Sequence, residues 1–257
     1  MLATIAPPVV AVVNQKGGVG KTTTAINLSA ALAELGHPVL LIDLDPQANS
    51  TSGLGLDPTR ARLNVYHLLT GEATIEEVGQ PTGVPSLQLV PSHIDLAGGE
   101  IELAGIQGRE ALLGKALSSL PAGTSCVIID CPPSLGLLTL NALAAATSLL
   151  IPMQCEYFAL EGLRHLMFTH QLVRSRLNPK LAIAGILMTQ FDARTTLSWD
   201  VLESVRRSYP HHVLETLIPR NVRISEAPSH GKSVLEYDTM CRGAAAYRAL
   251  AKELLER

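Results

Sequence analysis

Aromatic residues are scarce. One Trp, three Phe and five Tyr make up 4% of 257 residues. They do not interleave with the basic residues, so a surface that stacks single-stranded bases is excluded. Cysteine is also sparse. The four residues Cys126, Cys131, Cys155 and Cys241 match no C-x-x-C zinc or redox spacing. Cys126 and Cys131 flank an apolar run and read as small buried hydrophobes, which fits a reducing, cytoplasmic compartment. Neither sign of charge is in excess. Twenty Lys and Arg oppose 23 Asp and Glu, for a net charge of −3. With 47% hydrophobic residues this excludes disorder, and taken whole it argues against a nucleic-acid binder. Long hydrophobic runs are missing too. The longest, Leu135 to Met153, is interrupted by Asn141, Thr147, Ser148 and Pro152 and reads as a helix followed by a strand. Met1–Pro8 carries no Lys or Arg, so no secretory leader is expected.

What is present is alternation. Short apolar runs of strand length occur at Val9–Val13, Val39–Ile42, Leu87–Val90, Cys126–Ile129, Ser148–Ile151 and Ile183–Met188, with a weaker one at Val213–Ile218. Runs without a polar alternate suit strands buried on both faces. Helical patterns lie between them at Thr22–Leu35, Glu110–Leu120, Leu135–Ala146, Ala159–Leu177, Leu197–Ser208 and Gly243–Glu256. The first stops at Gly36, a usual cap position. The expected fold is α/β: a doubly wound, mostly parallel sheet with helices on both faces, in a single domain over residues 1–257. Ser50–Gly108 is richer in Gly, Pro and Thr and should hold loops and short helices.

The strongest motif is Lys16-Gly17-Gly18-Val19-Gly20-Lys21-Thr22-Thr23, set between the first strand and the first helix. Glycines let the backbone curl until several N–H groups face one anion, and the helix N-terminus adds partial positive charge. This is a P-loop. Lys21 would reach the β- and γ-phosphates of ATP, and the Thr22 hydroxyl would ligate Mg²⁺. The usual pattern opens with Gly, where this chain has Gln15 followed by a second lysine, Lys16.

Two acidic strand ends accompany the loop. Val39–Ile42 runs into Asp43-Leu44-Asp45, whose carboxylates at i and i+2 leave on the same side. Cys126–Ile129 runs into Asp130 and reads as a Walker B strand with its carboxylate near the metal. With no obvious Glu or Gln base after that strand, intrinsic hydrolysis should be slow and partner-dependent.

Two lysines around three glycines resemble the deviant phosphate loop of the ParA/MinD group of P-loop ATPases. Longer stretches resemble the ParA/Soj chromosome-partitioning members: Asn14–Leu28, Leu41–Gly55, Leu138–Ala145, Gln154–Gly162, Phe191–Thr195 and Ile218–Gly231. The resemblance implies an ATPase of chromosome or plasmid segregation that closes an ATP-bound homodimer, with Lys16 reaching the partner's nucleotide. It implies catalytic roles for Lys16, Lys21 and Asp45, the last positioning the hydrolytic water. It implies nucleotide contacts along Lys16–Thr23 and at Pro219 and Asn221, and a metal or switch role for Asp43 beside Thr22 and Asp130. It places Glu156 near the dimer interface. It further implies a ParB/Spo0J-like partner that stimulates hydrolysis, and nonspecific double-stranded DNA held by Arg194, Arg223 and Arg220.

Local charge agrees with that last implication. From Arg164 to Arg223, nine basic residues face four acidic ones, a balance of +5 that leaves −8 for the rest of the chain. The expected location is cytoplasmic and nucleoid-associated. The competing expectation is a MinD-like ATPase on a membrane surface. The last fourteen residues weigh against it, being Ala-rich and balanced in Lys, Arg and Glu, so that they read as a helix packed on the sheet.

Overall fold

The computed structural model describes residues 7–157 and 159–257. The leader reading over Met1–Pro8 rests largely on residues 1–6, which lie outside the described residues.

Eight strands form one sheet in the order β3-β4-β2-β5-β1-β6-β7-β8. They are β1 Val9–Val12, β2 Val39–Asp43, β3 Gln80–Pro81, β4 Leu87–Val90, β5 Cys126–Asp130, β6 Ser148–Gln154, β7 Ala182–Phe191 and β8 Val213–Pro219. All neighbours pair in parallel except the two-residue edge strand β3, which is antiparallel to β4. All seven expected strands are present. β3 is too short to leave a hydrophobic period in the sequence, and its proline suits an edge.

The longer helices are α1 Lys21–Glu34, α8 Ala159–Arg176, α9 Thr196–Ser208 and α12 Arg242–Leu255. Shorter ones are α2 Asn49–Gly53, α3 Val65–Thr70, α4 Ile75–Val78, α5 Leu96–Leu103, α6 Leu112–Ala116, α7 Leu137–Ala145, α10 Val222–Glu226 and α11 Val234–Tyr237. The stretch expected to be one helix over Glu110–Leu120 is α6 with a 3₁₀ turn on either side. Gly114 at its centre weakens the α-helical ladder, and 3₁₀ geometry tightens its ends.

The sheet is covered on both faces. Strand side chains alternate, so β5 sends Val127 and Ile129 into one core and Cys126 and Ile128 into the other. The first core lies under α3 to α9, with Leu68, Leu96, Leu113, Leu138, Leu163 and Val205. The second lies under α1, α11 and α12, with Leu28, Leu32, Val234, Tyr247 and Leu250. α12 therefore packs on α1 and β8. Its Glu253 carboxylate accepts the Glu215 and Thr216 amides at 2.8 and 2.9 Å, which covers part of the free edge of β8. All four cysteines are free, and Cys126 and Cys131 are buried. Among the described residues no helix is long and apolar enough to cross a membrane.

Candidate nucleotide site

β1 lies between β5 and β6, and the phosphate loop leaves its C-terminal end. Crevices at the carboxyl ends of parallel strands are where α/β sheets bind ligands. Asn14 sets the start of the loop: its Nδ2 donates to the Pro152 carbonyl at 2.7 Å and its Oδ1 accepts the Lys16 amide at 3.0 Å. Gly18 and Gly20 adopt φ of 75° and 87°, the left-handed region that glycine enters without steric cost. Gly20 leads directly into α1.

The two lysines of the loop point to different places. Lys21 is buried, and its Nζ donates to the Lys16 carbonyl at 3.0 Å. Burial lowers its pKa, while the carboxylates of Asp130 and Asp45 oppose that shift. Lys16 is exposed, and its ammonium pairs with the Glu156 carboxylate just beyond β6.

The acidic strand ends also separate into roles. Asp43 and Asp130 are register partners across β2 and β5, and both are fully buried. Asp43 Oδ2 accepts the Thr51 amide and hydroxyl at 2.8 and 2.7 Å, and its Oδ1 accepts the Asp45 amide at 3.2 Å. Asp130 Oδ2 accepts the Ser50 hydroxyl at 2.8 Å, whereas its Oδ1 is buried with no hydrogen-bond partner among the described residues. Burial drives both carboxyls above the ordinary range. The Asp130 charge adds to the rise at Asp43. At Asp130 the hydroxyls of Ser50 and Thr22 favour the ionised form. Asp45 is also buried, and its Oδ1 accepts the Gln47 amide at 2.9 Å.

An orphaned, buried carboxylate oxygen beside a threonine hydroxyl is a hard-oxygen donor set. Among the described residues no group of three or more His, Cys, Asp or Glu could hold a metal by itself. That combination fits Mg²⁺, which takes one or two carboxylates plus substrate phosphates rather than an all-protein cage.

Two recesses meet at the loop. One of about 500 Å³ is lined by Gly17, Lys21, Thr22, Asp45 and Asn49 among others. The second, of about 280 Å³, is lined by Thr189, Pro219, Arg220, Asn221 and Tyr247 among others. Both touch Gly20, Thr23, Gln190 and Pro228, so they form one connected cleft. Asn221 lines this recess, and its Oδ1 caps α10 by accepting the Arg223 amide at 2.8 Å.

The three arginines gather near the ends of β7 and β8. Arg194 grips Asp192 through two bonds of 2.8 and 2.7 Å, and this holds the Asp192 carboxyl well below its usual range. Arg223 pairs with Glu226 and Asp238. Arg220 also favours the charged form of Asp192, and it has no ion pair of its own among the described residues. Sequence reasoning missed Asn14, Ser50, Thr51, Thr189 and Gln190. Asn14, Ser50 and Thr51 lie inside stretches that carry the resemblance but were given no role there, Thr189 and Gln190 lie outside them, and the partners of these residues lie up to 172 residues away in the chain.

Comparison with known proteins adds to this geometry. A family model described as an AAA domain matches residues 8–183. The chain is 51% identical to the sporulation initiation inhibitor protein Soj of Bacillus subtilis, over 96% of this chain and 97% of that one. It is 52% identical to the chromosome-partitioning ATPase Soj of Treponema pallidum, over 95% and 96% of the two chains. Among solved structures, cobyrinic acid a,c-diamide synthase from Mycobacterium smegmatis, with a bound ATP analog and magnesium, superposes with a TM-score of 0.86. It is 42% identical over 97% of this chain and 95% of that one.

Proposed function

The chain belongs to the Soj/ParA family of chromosome-partitioning ATPases, and from that premise we propose that it is an ATP-gated dimerisation switch that holds DNA in one state only. The observation that carries the reading is the division between the two lysines. Lys21 is buried under its own loop, whereas Lys16 is exported from the same loop to the surface. A cation that leaves its own site is suited to neutralise phosphate charge on a second copy, which would make the nucleotide part of the dimer interface.

In this reading the N–H groups of Gly17–Thr23, with Lys21, hold the phosphates of ATP. The recess bounded by Pro219 and Asn221 takes the adenine. Thr22 and Asp130 hold Mg²⁺, with Asp43 one hydrogen-bonded layer behind. The metal, when bound, neutralises phosphate charge and fixes the phosphate geometry. Asp45 orients the attacking water from the wall of the cleft. Asp43 ties the end of β2 to Thr51, so movement of that strand end would pass to α2. A ParB/Spo0J-like partner would stimulate hydrolysis at the dimer. ATP would favour the dimer, and DNA would favour the dimer over the monomer through Arg194, Arg220 and Arg223, so each ligand would strengthen the other. The predicted cellular position is nucleoid-associated cytoplasm.

The test is a DNA-binding titration with ATP, with ADP and without nucleotide, at several salt concentrations. Binding should require ATP, tolerate any sequence and weaken steeply with salt. Binding to anionic liposomes in place of DNA would favour the membrane-surface alternative and overturn the reading.

A further inference from the structure

The carbonyl of Gly18 receives side-chain amides from two different strands. Gln154 Nε2, at the end of β6, lies 2.6 Å from it, and Gln190 Nε2, near the end of β7, lies 3.2 Å from it. The next carbonyl, that of Val19, accepts the Thr189 hydroxyl at 2.7 Å. A carbonyl oxygen has two lone pairs, so Gly18 can accept both amides together.

A trans peptide is planar, with its C=O and N–H pointing in opposite directions. Anchoring the Gly18 carbonyl on the β6–β7 side therefore fixes the direction of the Val19 N–H, and anchoring the Val19 carbonyl fixes that of Gly20. The N–H groups from Gly17 to Thr23 are bonded to no other described residue, so they remain available to an anion. Gln190 carries a further mark of constraint. It has φ of 50°, a left-handed conformation that costs a non-glycine residue about 1 kcal/mol or more. Its side chain is held on the loop, and it lines both recesses of the cleft.

We propose that Gln154 and Gln190 are positioning residues for the phosphate loop. They turn the Gly18 peptide so that the Val19 N–H faces the phosphate chain of a nucleoside di- or triphosphate, with Gln154 the principal donor and Gln190 the reserve. The proposal rests on the nucleotide reading of this loop. The two amides share one acceptor, so removing either leaves the other in place, and only removing both frees the peptide to rotate.

The experiment compares wild type, Q154M, Q190M and the double variant, since methionine keeps the length of glutamine and removes the donor. Binding of a fluorescent ADP is measured directly, and adenosine by competition. ADP affinity should fall about twofold in Q190M and about fivefold in Q154M, the scale of one hydrogen bond. The double variant should lose more than the product of the two. Adenosine affinity of Q154M should stay close to wild type, because Gln154 lines neither recess whereas Gln190 also borders the adenine recess, and the unfolding midpoint without ligand should stay close to wild type in every variant. A double variant within twofold of wild type for ADP, or an equal loss for ADP and adenosine in Q154M, would overturn the proposal. If the double variant does not fold, Q154E carries the test. It places an acceptor against the Gly18 carbonyl and should cost more ADP affinity than Q154M, and a smaller loss counts against the idea. Failure of the wild type to bind ADP at all would instead remove the nucleotide reading, and the proposal with it.

Discussion

Asp43 and Asp130 end neighbouring strands in direct register, yet Asp43 has donors on both oxygens and Asp130 on only one. Their substitutions should therefore differ in cost. Asp43→Ala leaves the buried Thr51 amide and hydroxyl without their acceptor and should lower unfolding stability by about 2–3 kcal/mol. Asp130→Asn keeps an acceptor for the Ser50 hydroxyl and leaves no donor stranded, so it should cost less stability than Asp43→Ala. The same change should reduce Mg²⁺-dependent ATP hydrolysis by about a hundredfold or more, on the scale of a lost electrostatic contact. Denaturant melts and steady-state hydrolysis check both. Equal stability losses in the two variants would contradict this division.

The ion pair between Lys16 and Glu156 holds the exported lysine against its own subunit. Both side chains are about half exposed, so the pair is weak, and on the proposed reading it would act as a modest brake on dimerisation. Glu156→Gln should lower the protein concentration needed for ATP-dependent dimerisation by up to about fivefold. Lys16→Ala should abolish the dimer. Light scattering over a concentration series reads both.

On the proposed reading, the arginines near β7 and β8 differ in their freedom to meet DNA. Arg194 must give up two short bonds to Asp192, while Arg220 has no ion pair to break among the described residues. Asp192→Asn should therefore raise ATP-dependent DNA affinity, and Arg220→Glu should lower it more than Arg194→Glu does. Each arginine that engages a phosphate should contribute about 0.9 to the slope of log affinity against log salt. Gel shifts across a salt series separate the variants. An Asp192→Asn protein with unchanged affinity would place Arg194 off the DNA surface.

Two chain segments cross at Gly55 and Gly231. A Cβ on Gly231 would sit 2.6 Å from the Gly55 Cα, and Gly231 has φ of 63°. Backbone cannot yield as a side-chain tip can, so Gly231→Ala should cost about 2–3 kcal/mol. Because the crossing joins the loop after α2 to the segment after α10, ATP affinity should also fall. A melt within about 0.5 kcal/mol of wild type would count against the crossing.

His170 on α8 is buried, and its Nε2 lies 3.0 Å from the Leu181 carbonyl. Burial lowers its pKa from the ordinary 6.5, Arg174 adds to that, and the Leu181 carbonyl opposes both. The unfolded chain thus binds this proton more readily than the folded one. The stability contribution is complete above the unfolded value and is lost as pH falls below it. Wild type should lose stability between about pH 7.5 and about pH 5, and His170→Gln should lose less over that range. Thermal melts at both pH values give the comparison.

Much of this was legible in the residues. The short apolar runs at Val39–Ile42 and Cys126–Ile129 announced strands buried on both faces, and each ran into an aspartate, Asp43 or Asp130, that is fully buried at the strand end. The phosphate loop was readable because its glycines and lysines are contiguous, and a local backbone motif needs no distant partner. The edge strand β3 was not readable. Two residues carry no period, and pairing with β4 defines the strand.

The sequence by itself determined the parallel α/β sheet and the residues of the loop, because periodicity and glycine spacing are local properties. Tertiary structure alone decided how that loop is held. Gln154, Thr189 and Gln190 reach its carbonyls across 136 to 172 residues of chain, and the strand order β5-β1-β6-β7 brings them there. It also decided that Lys21 turns inward while Lys16 turns out to Glu156. A lysine's direction depends on which carboxylates and carbonyls packing places within reach, and a linear motif does not contain that information.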